Sequence, residues 1–163
     1  MKDTWEKGIV YATQNGRALP ITEMPDEVFA EKVPGDGICI LPKDGKVYAP
    51  VNGVVESADD TGHAYGIAAE DGADIMIHIG VDTVELAGTG FKRKVKPGQL
   101  VKAGDLICSV NLETVKKAGY SVHTAIVLCN VEFFTITGIT ADSVVQAGKT
   151  VIFRYERKNL AEP

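Results

Sequence analysis

The sequence has 163 residues, of which 45% are hydrophobic and 24% charged, and its formal net charge is −5. This length fits a single domain over residues 1–163, and the composition excludes a globally disordered chain. An acidic balance argues against nucleic-acid binding. No apolar run approaches the roughly 20 residues of a membrane helix, so we expect no membrane insertion.

Val and Ile together number 32 against 8 Leu, which favours strands over helices. Apolar runs alternate with turns roughly every eight to twelve residues, which predicts an all-β sandwich. In chain order, strands are predicted at Gly8–Ala12, Gly37–Pro42, Gly45–Tyr48, Gly53–Ala58, Ala64–Ala69, Asp74–Ile79, Val84–Leu86, Leu106–Asn111, His123–Cys129 and Thr150–Arg154. Helical turns are predicted at Pro25–Lys32 and Leu112–Ala118, the second capped by Asn111. Polar ends, residues 1–7 and 156–163, are expected to be frayed.

The three cysteines are far apart in the chain, and each lies in an apolar run: Cys39, Cys108 and Cys129. With an odd count and no CxxC pair, they are interpreted as small buried hydrophobes in a reducing compartment. The N-terminal residues lack the apolar segment of a signal peptide. We therefore expect a cytoplasmic protein.

Charge is unevenly distributed along the chain. The stretch Val47–Phe91 contains no Lys or Arg but eight acidic residues, and the basic run Lys92–Lys96 follows it directly. The pattern is compatible with a solvated acidic hairpin beside a basic edge, or with an electrostatic field that steers a basic partner protein. Two of the three histidines lie inside the acidic stretch, which favours the second interpretation.

The two histidines of the acidic stretch are the candidate functional residues. In the predicted strand Asp74–Ile79 the isoleucines share one face, whereas Met76 and His78 share the other. An extended backbone likewise places Thr61 and His63 on the same side, where a hydroxyl can bond one ring nitrogen and select the tautomer. A hairpin between the two segments would bring the imidazoles face to face.

Two chemistries would use such a pair. A neutral imidazole can accept a phosphoryl group while a second one donates to the phosphate oxygens. Alternatively, the two imidazoles could form half of a zinc site. His-x-His and His-Glu-x-x-His patterns are absent, which argues against a dedicated metallohydrolase. His123 is interpreted as a surface residue at the start of a strand.

At these residues the sequence resembles a known family. The stretch Ile77–Leu86, IHIGVDTVEL, resembles the active-site strand of the glucose-type enzyme IIA of the bacterial phosphoenolpyruvate-dependent sugar phosphotransferase system. Further pieces match in order and approximate spacing over nearly the whole chain: Gly16–Ala30, Gly35–Gly37, Ala49–Gly53, Thr61–Ala64 and Gly88–Lys92. Together they are far more specific than any one piece.

The resemblance implies a compact β-sandwich with duplicated hybrid (barrel-sandwich) motifs that works as a phosphohistidine relay. His78 would take the phosphoryl group from the histidine-containing phosphocarrier protein and pass it to a cysteine of the enzyme IIB domain of a sugar permease. His63 would steady the phosphoryl oxygens, and Thr61 would fix the ring of His63. The carbonyl of Gly80 would hold Nδ1–H of His78, and Asp82 would tune the local electrostatics.

The resemblance also bears on cofactors and partners. A phosphohistidine relay requires no cofactor, although a regulatory zinc could bridge His63, His78 and a partner carboxylate. A second hypothesis is a regulatory module that binds transporters or metabolic enzymes through the same face, and a zinc peptidase on a related fold is a third. We expect a monomer, and we expect Met76 and Ile38 to form a water-excluding rim around His78.

Overall fold

The computed structural model describes residues 6–158. Strands dominate this part of the chain: β1 Ile9–Tyr11, β2 Gly16–Pro20, β3 Asp36–Pro42, β4 Lys46–Tyr48, β5 Gly53–Ala58, β6 Ala64–Ala69, β7 Asp74–Ile79, β8 Phe91–Arg93, β9 Leu100–Val101, β10 Leu106–Val110, β11 Thr124–Leu128, β12 Phe134–Ile139, β13 Ser143–Val145 and β14 Val151–Arg157. The helical elements are short: α1 Glu27–Ala30, α2 Leu112–Lys117, and 3₁₀ turns at Ile21–Glu23 and Thr83–Leu86. No helix of residues 6–158 is long and apolar enough to cross a membrane. The all-β sandwich prediction is confirmed.

The strands form three antiparallel sheets. The largest has the order β13-β2-β3-β11-β7-β6-β5-β9, and the two smaller ones have the orders β1-β14-β12 and β4-β10-β8. One continuous apolar core lies between the sheets and includes residues of all three, among them Ile77, Ile107 and Ile152. This arrangement leaves the second face of the large sheet available for a separate cluster.

Cross-strand pairing defines that second face. Leu19, Cys39, Ala125, His78 and Ala64 are successive partners in one row across five strands. Directly opposed residues share a face, so His78 projects from the same side as this row and away from the main core. Its two cross-strand neighbours carry only methyl groups, which leaves room above the sheet for an imidazole ring.

Most predicted elements are confirmed, but Val84–Leu86 is not a strand. The segment is part of a 3₁₀ turn that begins after Asp82 and ends at Ala87, both in the left-handed backbone region with φ of 59° and 50°. A strand needs an extended backbone, and these two residues close the chain into a tight turn instead. The strands β2, β8, β9, β12 and β13 were not predicted: β8, β9 and β13 have only two or three residues each, and β2 and β12 contain glycine, which weakens a strand pattern.

Side-chain caps start both α-helices. The Asp26 carboxylate accepts the Val28 N–H at 3.0 Å, and the Asn111 side-chain oxygen accepts the Thr114 N–H at 3.1 Å. Such bonds satisfy amide groups that have no partner inside the helix. The predicted Asn111 cap is confirmed, and α1 is shorter than the predicted turn Pro25–Lys32.

The C-terminal prediction needs correction. Glu156 and Arg157, expected to be frayed, belong to β14. The Arg157 guanidinium lies 4.7 Å from the centre of the Phe134 ring and donates to the Asp71 carbonyl at 3.0 Å. These contacts hold the strand end against its neighbours, whereas residues 1–5 and 159–163 of the predicted frayed ends lie outside the described residues.

The cysteines are free thiols, two buried and one half-buried. Burial raises the pKa of Cys39 to about 12 and that of Cys129 to about 11. Burial also raises the pKa of Cys108. A thiol is nucleophilic and binds metal as the thiolate, so these protonated side chains act as small hydrophobes, as predicted.

Candidate functional site

The two histidines of the acidic stretch meet at the junction of β6 and β7. The Ile79 N–H donates to the His63 carbonyl at 2.7 Å, which continues the β6–β7 ladder by one step beyond Ala64. The imidazole centres of His63 and His78 are 5.1 Å apart, with an interplanar angle of 85°. The sheet therefore places one ring edge-on to the other.

His78 is oriented by the turn that follows its strand. Its Nδ1 lies 3.0 Å from the carbonyl oxygen of Gly80, which can only accept, so Nδ1 carries the proton and Nε2 keeps its lone pair. Gly80 has φ of +80°, and a Cβ there would overlap Thr83 Cγ2 and lie 2.8 Å from the Ser121 carbonyl oxygen. Only glycine fits this position, which aims the carbonyl at the imidazole.

His63 is buried and has its own local partners. Its Nδ1 lies 2.5 Å from the hydroxyl oxygen of Thr61. The same hydroxyl donates at 2.8 Å to the carboxylate of Asp59, an exposed residue in the turn between β5 and β6. Asp59 is one of the eight acidic residues of the stretch Val47–Phe91, but the charge pattern does not predict its contact with Thr61.

An apolar rim surrounds His78 on the second face of the large sheet. The ring of Phe29, from α1, lies 5.0 Å from the His78 ring centre at 48°. Phe29 and Met24 belong to a small buried cluster, against which Met76 and Val81 pack. Sequence reasoning missed Phe29, because no local pattern shows that α1 packs over β7.

The expected contribution of Ile38 to this rim is wrong. Ile38 pairs with Ile126, is fully buried and belongs to the main core. Its neighbour Cys39 has the opposite orientation and lies in the row that contains His78. Strand side chains alternate, so an error of one residue exchanged the two faces of the sheet.

Burial lowers the pKa values of the two histidines, whereas nearby carboxylates raise them. Burial lowers the pKa of His78, against the raising effects of the Gly80 carbonyl and of Asp26, Asp59 and Asp82. The pKa of His63 is lowered by burial first and then by His78, against a raising effect of Asp59. Both imidazoles therefore favour the neutral form, which is the nucleophilic form of histidine.

Asp82 is exposed and acts on His78 only through its charge. A depression of about 270 Å³ runs beside His78 and Met76 and reaches Cys129. A larger depression of about 790 Å³ lies between β8 and α2 and contains none of the histidines. Within residues 6–158 no group of three or more His, Cys, Asp or Glu side chains could hold a metal ion.

His123 stands apart from the pair. It is half-buried just before β11, and its Nδ1 lies 2.8 Å from the Ser121 hydroxyl oxygen. Its backbone carbonyl accepts the Gly80 N–H at 2.9 Å, so the chain at His123 supports the turn that orients His78. This agrees with its interpretation as a residue at the start of a strand.

Fold and site together define a β-sandwich domain with a two-histidine centre suited to phosphoryl transfer. The chain belongs to the EIIA family of the phosphoenolpyruvate-dependent sugar phosphotransferase system, because residues 8–134 match the model of that family, described as "EIIA 1". It is thus a phosphotransferase component that relays a phosphoryl group in sugar uptake.

Individual proteins agree with this assignment. The chain is 40% identical over 147 residues to the PTS system glucose-specific EIIA component of Buchnera aphidicola, a match that covers 90% of this chain and 91% of that protein. It is 38% identical to the EIICBA component of Staphylococcus carnosus, of which it covers 22%. The solved glucose permease IIA from Mycoplasma capricolum superposes with a TM-score of 0.85 at 36% identity, over 94% of this chain and 98% of that one.

Proposed function

We propose that His78 carries the phosphoryl group of the relay. Nε2 of His78 attacks the phosphorus of a phosphohistidine on the histidine-containing phosphocarrier protein, and the donor's N–P bond breaks as the new one forms. A cysteine thiolate of an enzyme IIB domain then takes the group in the same way. The observation that carries the proposal is the bond between Nδ1 of His78 and the Gly80 carbonyl, which leaves Nε2 unprotonated.

His63 has a supporting role in this proposal. Its ring lies edge-on to His78 at 5.1 Å, close enough to contact a phosphoryl group bound there. Positioning and charge stabilisation are the main demands of phosphoryl transfer from an activated N–P bond. We infer that His63 provides the charge stabilisation. Thr61, bonded to Nδ1 of His63, keeps the ring in place.

The rim and the surrounding charge suit a carrier that meets two partners in turn. Phe29, Met76 and Val81 form an apolar border that would limit access of water to the phosphohistidine. The negative charges of three carboxylates, on Asp26, Asp59 and Asp82, raise the pKa of His78. Such a field speeds encounter with a basic donor surface without making the complex long-lived.

The proposal extends to cellular context. A relay face must stay open to donor and acceptor alternately, so we propose that the protein works as a monomer in the cytoplasm. The relatives from Buchnera aphidicola and Staphylococcus carnosus are both named glucose-specific. Glucose is therefore the first sugar to test for the permease that this chain serves.

Zinc has limited support from the side chains. The Nδ1 atoms of His63 and His78 are engaged by Thr61 and Gly80, which leaves only the two Nε2 atoms as nitrogen donors. Zinc takes four ligands, so a partner carboxylate and water would have to complete the set. The proposed transfer assigns no step to a metal.

One experiment tests the proposal. The protein is incubated with phosphoenolpyruvate, enzyme I and the histidine-containing phosphocarrier protein, and acid-labile, base-stable phosphate is measured. We expect labelling of the natural protein and of His123→Ala, and complete loss of label in His78→Ala. Undiminished label on His78→Ala, or none on the natural protein, would show that His78 is not the carrier.

A further inference from the structure

The larger depression, between β8 and α2, has no part in the proposed relay. Its volume of about 790 Å³ is within the usual range of small-ligand sites, and none of the histidines lines it. Two glycines on its lining allow the chain to pass close to its neighbours. A Cβ on Gly45 would overlap the Val110 carbonyl oxygen, and a Cβ on Gly90 would lie 3.1 Å from Thr114 Cγ2. The absence of side chains at these two positions keeps the depression open.

One row of the small sheet β4-β10-β8 places two lysines beside a hydroxyl. Ser109 of β10 pairs directly with Lys46 of β4 on one side and with Lys92 of β8 on the other. Directly opposed residues share a face, so both lysines project on the side of the Ser109 hydroxyl. Two strand spacings, roughly 9–10 Å, separate the two lysines, a gap that their long side chains can close around one anion.

The lysines at the depression have no carboxylate partners. Lys43 and Lys116 line it together with Lys92, and within residues 6–158 neither they nor Lys46 form an ion pair. Of the two carboxylates on the lining, Asp44 has both oxygens engaged in hydrogen bonds at 3.1 Å, which leaves Glu113. Positive charge is thus concentrated here in a chain whose net charge is −5, which favours an anionic ligand.

We propose that this depression binds a small phosphorylated sugar, whose phosphate lies between Lys46 and Lys92 above the Ser109 hydroxyl. A phosphate dianion balances the charge of two ammonium groups and accepts a hydrogen bond from the hydroxyl. The depression is much larger than a phosphate ion requires. The rest of its lining has side chains that can bond sugar hydroxyls: Thr89, Asn111, Glu113 and Thr114.

The site lies behind the segment that contains His63. Phe91 lines the depression, and its Cβ is 3.1 Å from the position of a Cβ on Gly62, the residue before His63. The Cys108 thiol of β10 donates to the Gly62 carbonyl at 3.5 Å. A ligand in the depression therefore contacts the wall that supports His63 without occupying the space beside His78. Because a sugar phosphate is the kind of product that a sugar phosphotransferase system makes, the site would bind product next to the relay.

The test is a titration of the unphosphorylated protein, followed by ¹H–¹⁵N NMR, with glucose 6-phosphate, inorganic phosphate and glucose as separate probes. With glucose 6-phosphate we expect saturable shifts of the amides of Gly90, Lys92 and Ser109. Inorganic phosphate should shift the same amides with weaker affinity, because it lacks the sugar hydroxyls. Glucose should leave them unchanged, because it has no charge to offer the lysines.

Charge variants locate the phosphate within the depression. Lys46→Gln and Lys92→Gln should each raise the Kd of glucose 6-phosphate about fivefold, the effect of losing one exposed ion pair. Both side chains are exposed, so the variants should fold normally. Lys96→Gln is the matched control, because it makes the same change in net charge within the same basic run but does not line the depression. Its Kd should equal that of the natural protein.

Several results would overturn the proposal. These are the absence of shifts at millimolar glucose 6-phosphate, shifts centred on His63 and His78 instead, equally tight binding of inorganic phosphate, or an equal loss of affinity in Lys96→Gln. The titration requires no phosphoryl transfer, so its outcome is separate from whether His78 is the carrier.

Discussion

Two places in the molecule share one local arrangement but differ in their surroundings. In both, a hydroxyl two residues before a histidine contacts its Nδ1: Thr61 with His63 at 2.5 Å, and Ser121 with His123 at 2.8 Å. His63 faces the ring of His78 at 5.1 Å, whereas no aromatic contact of His123 is found within residues 6–158. A hydroxyl two residues before a histidine can orient the ring, but it does not by itself make a site.

The difference comes from the sheet. His63 directly precedes β6, next to β7, and the β6–β7 ladder brings the imidazole of His78 to it, whereas the Asp59 carboxylate belongs to the turn just before His63. His123 precedes β11, and apart from burial only the charge of Glu23 shifts its pKa. Function thus depends on which side chains the neighbouring strands present, and the following predictions test that.

The largest expected difference is in phosphoryl transfer. His63→Gln should leave His78 able to accept a phosphoryl group but slow transfer to enzyme IIB about 100-fold, the usual cost of losing a group that stabilises the charge of the transition state. His123→Gln, the matched change, should leave both steps unchanged. Rapid-quench measurement of each step separates them, and equal slowing by the two variants would mean that the shared local arrangement is what matters.

The next effect concerns the turn that links the two places. The Gly80 carbonyl accepts from His78, and its N–H donates to the His123 carbonyl. Gly80→Ala should lower the free energy of unfolding by about 3 kcal/mol, because the new Cβ meets Thr83 and Ser121 at a positive φ.

Gly119→Ala is the control for this turn. Gly119 has φ of +91° with nothing within 4 Å of a new Cβ, so only backbone strain of about 1 kcal/mol is expected. Urea denaturation measures both variants. Equal losses would show that contacts around Gly80 contribute nothing beyond its backbone conformation.

The smallest effect is on proton binding. Burial lowers the pKa of His63, His78 and His123 below that of the unfolded chain, which is about 6.5. The unfolded state then binds more protons as pH falls below about 6.5, so the folded state loses stability on acidification and regains it above that pH. Urea denaturation at a series of pH values should show this slope.

NMR titration distinguishes His63 from His123 by what shifts the pKa of each. The charge of His78 also lowers the pKa of His63, whereas Glu23 raises that of His123. His78→Ala should therefore raise the pKa of His63 and leave that of His123 in place. A shift of both, or of neither, would contradict the electrostatic part of the comparison.

The sequence predicted the central strands closely. The predicted bounds of β5, β6 and β7 are those of the structure, because strong turn signals flank each of these strands. The same rule failed at Val84–Leu86, where left-handed residues on both sides close the chain into a 3₁₀ turn. Alternation over so few residues does not distinguish a strand from a turn.

Parts of the site could be predicted, and others could not. The faces of Met76 and His78 followed from the alternation in β7, and the partners of both histidines are within two residues in sequence. Phe29 and the exclusion of Ile38 could not be predicted, since the first depends on how α1 packs and the second on the register between β3 and β11.

The sequence by itself determined the β-rich class, the acidic stretch and the placement of Thr61 beside His63, because turns and alternation act over a few residues. Only the tertiary structure decided that His63 would face His78, that Phe29 would cover the site, and that His123 would stand apart. These outcomes depend on strand pairing and on packing across the sheet, which join residues far apart in the chain. The net charge of −5 is likewise an average, and the fold brings Asp26, Asp59 and Asp82 near one imidazole.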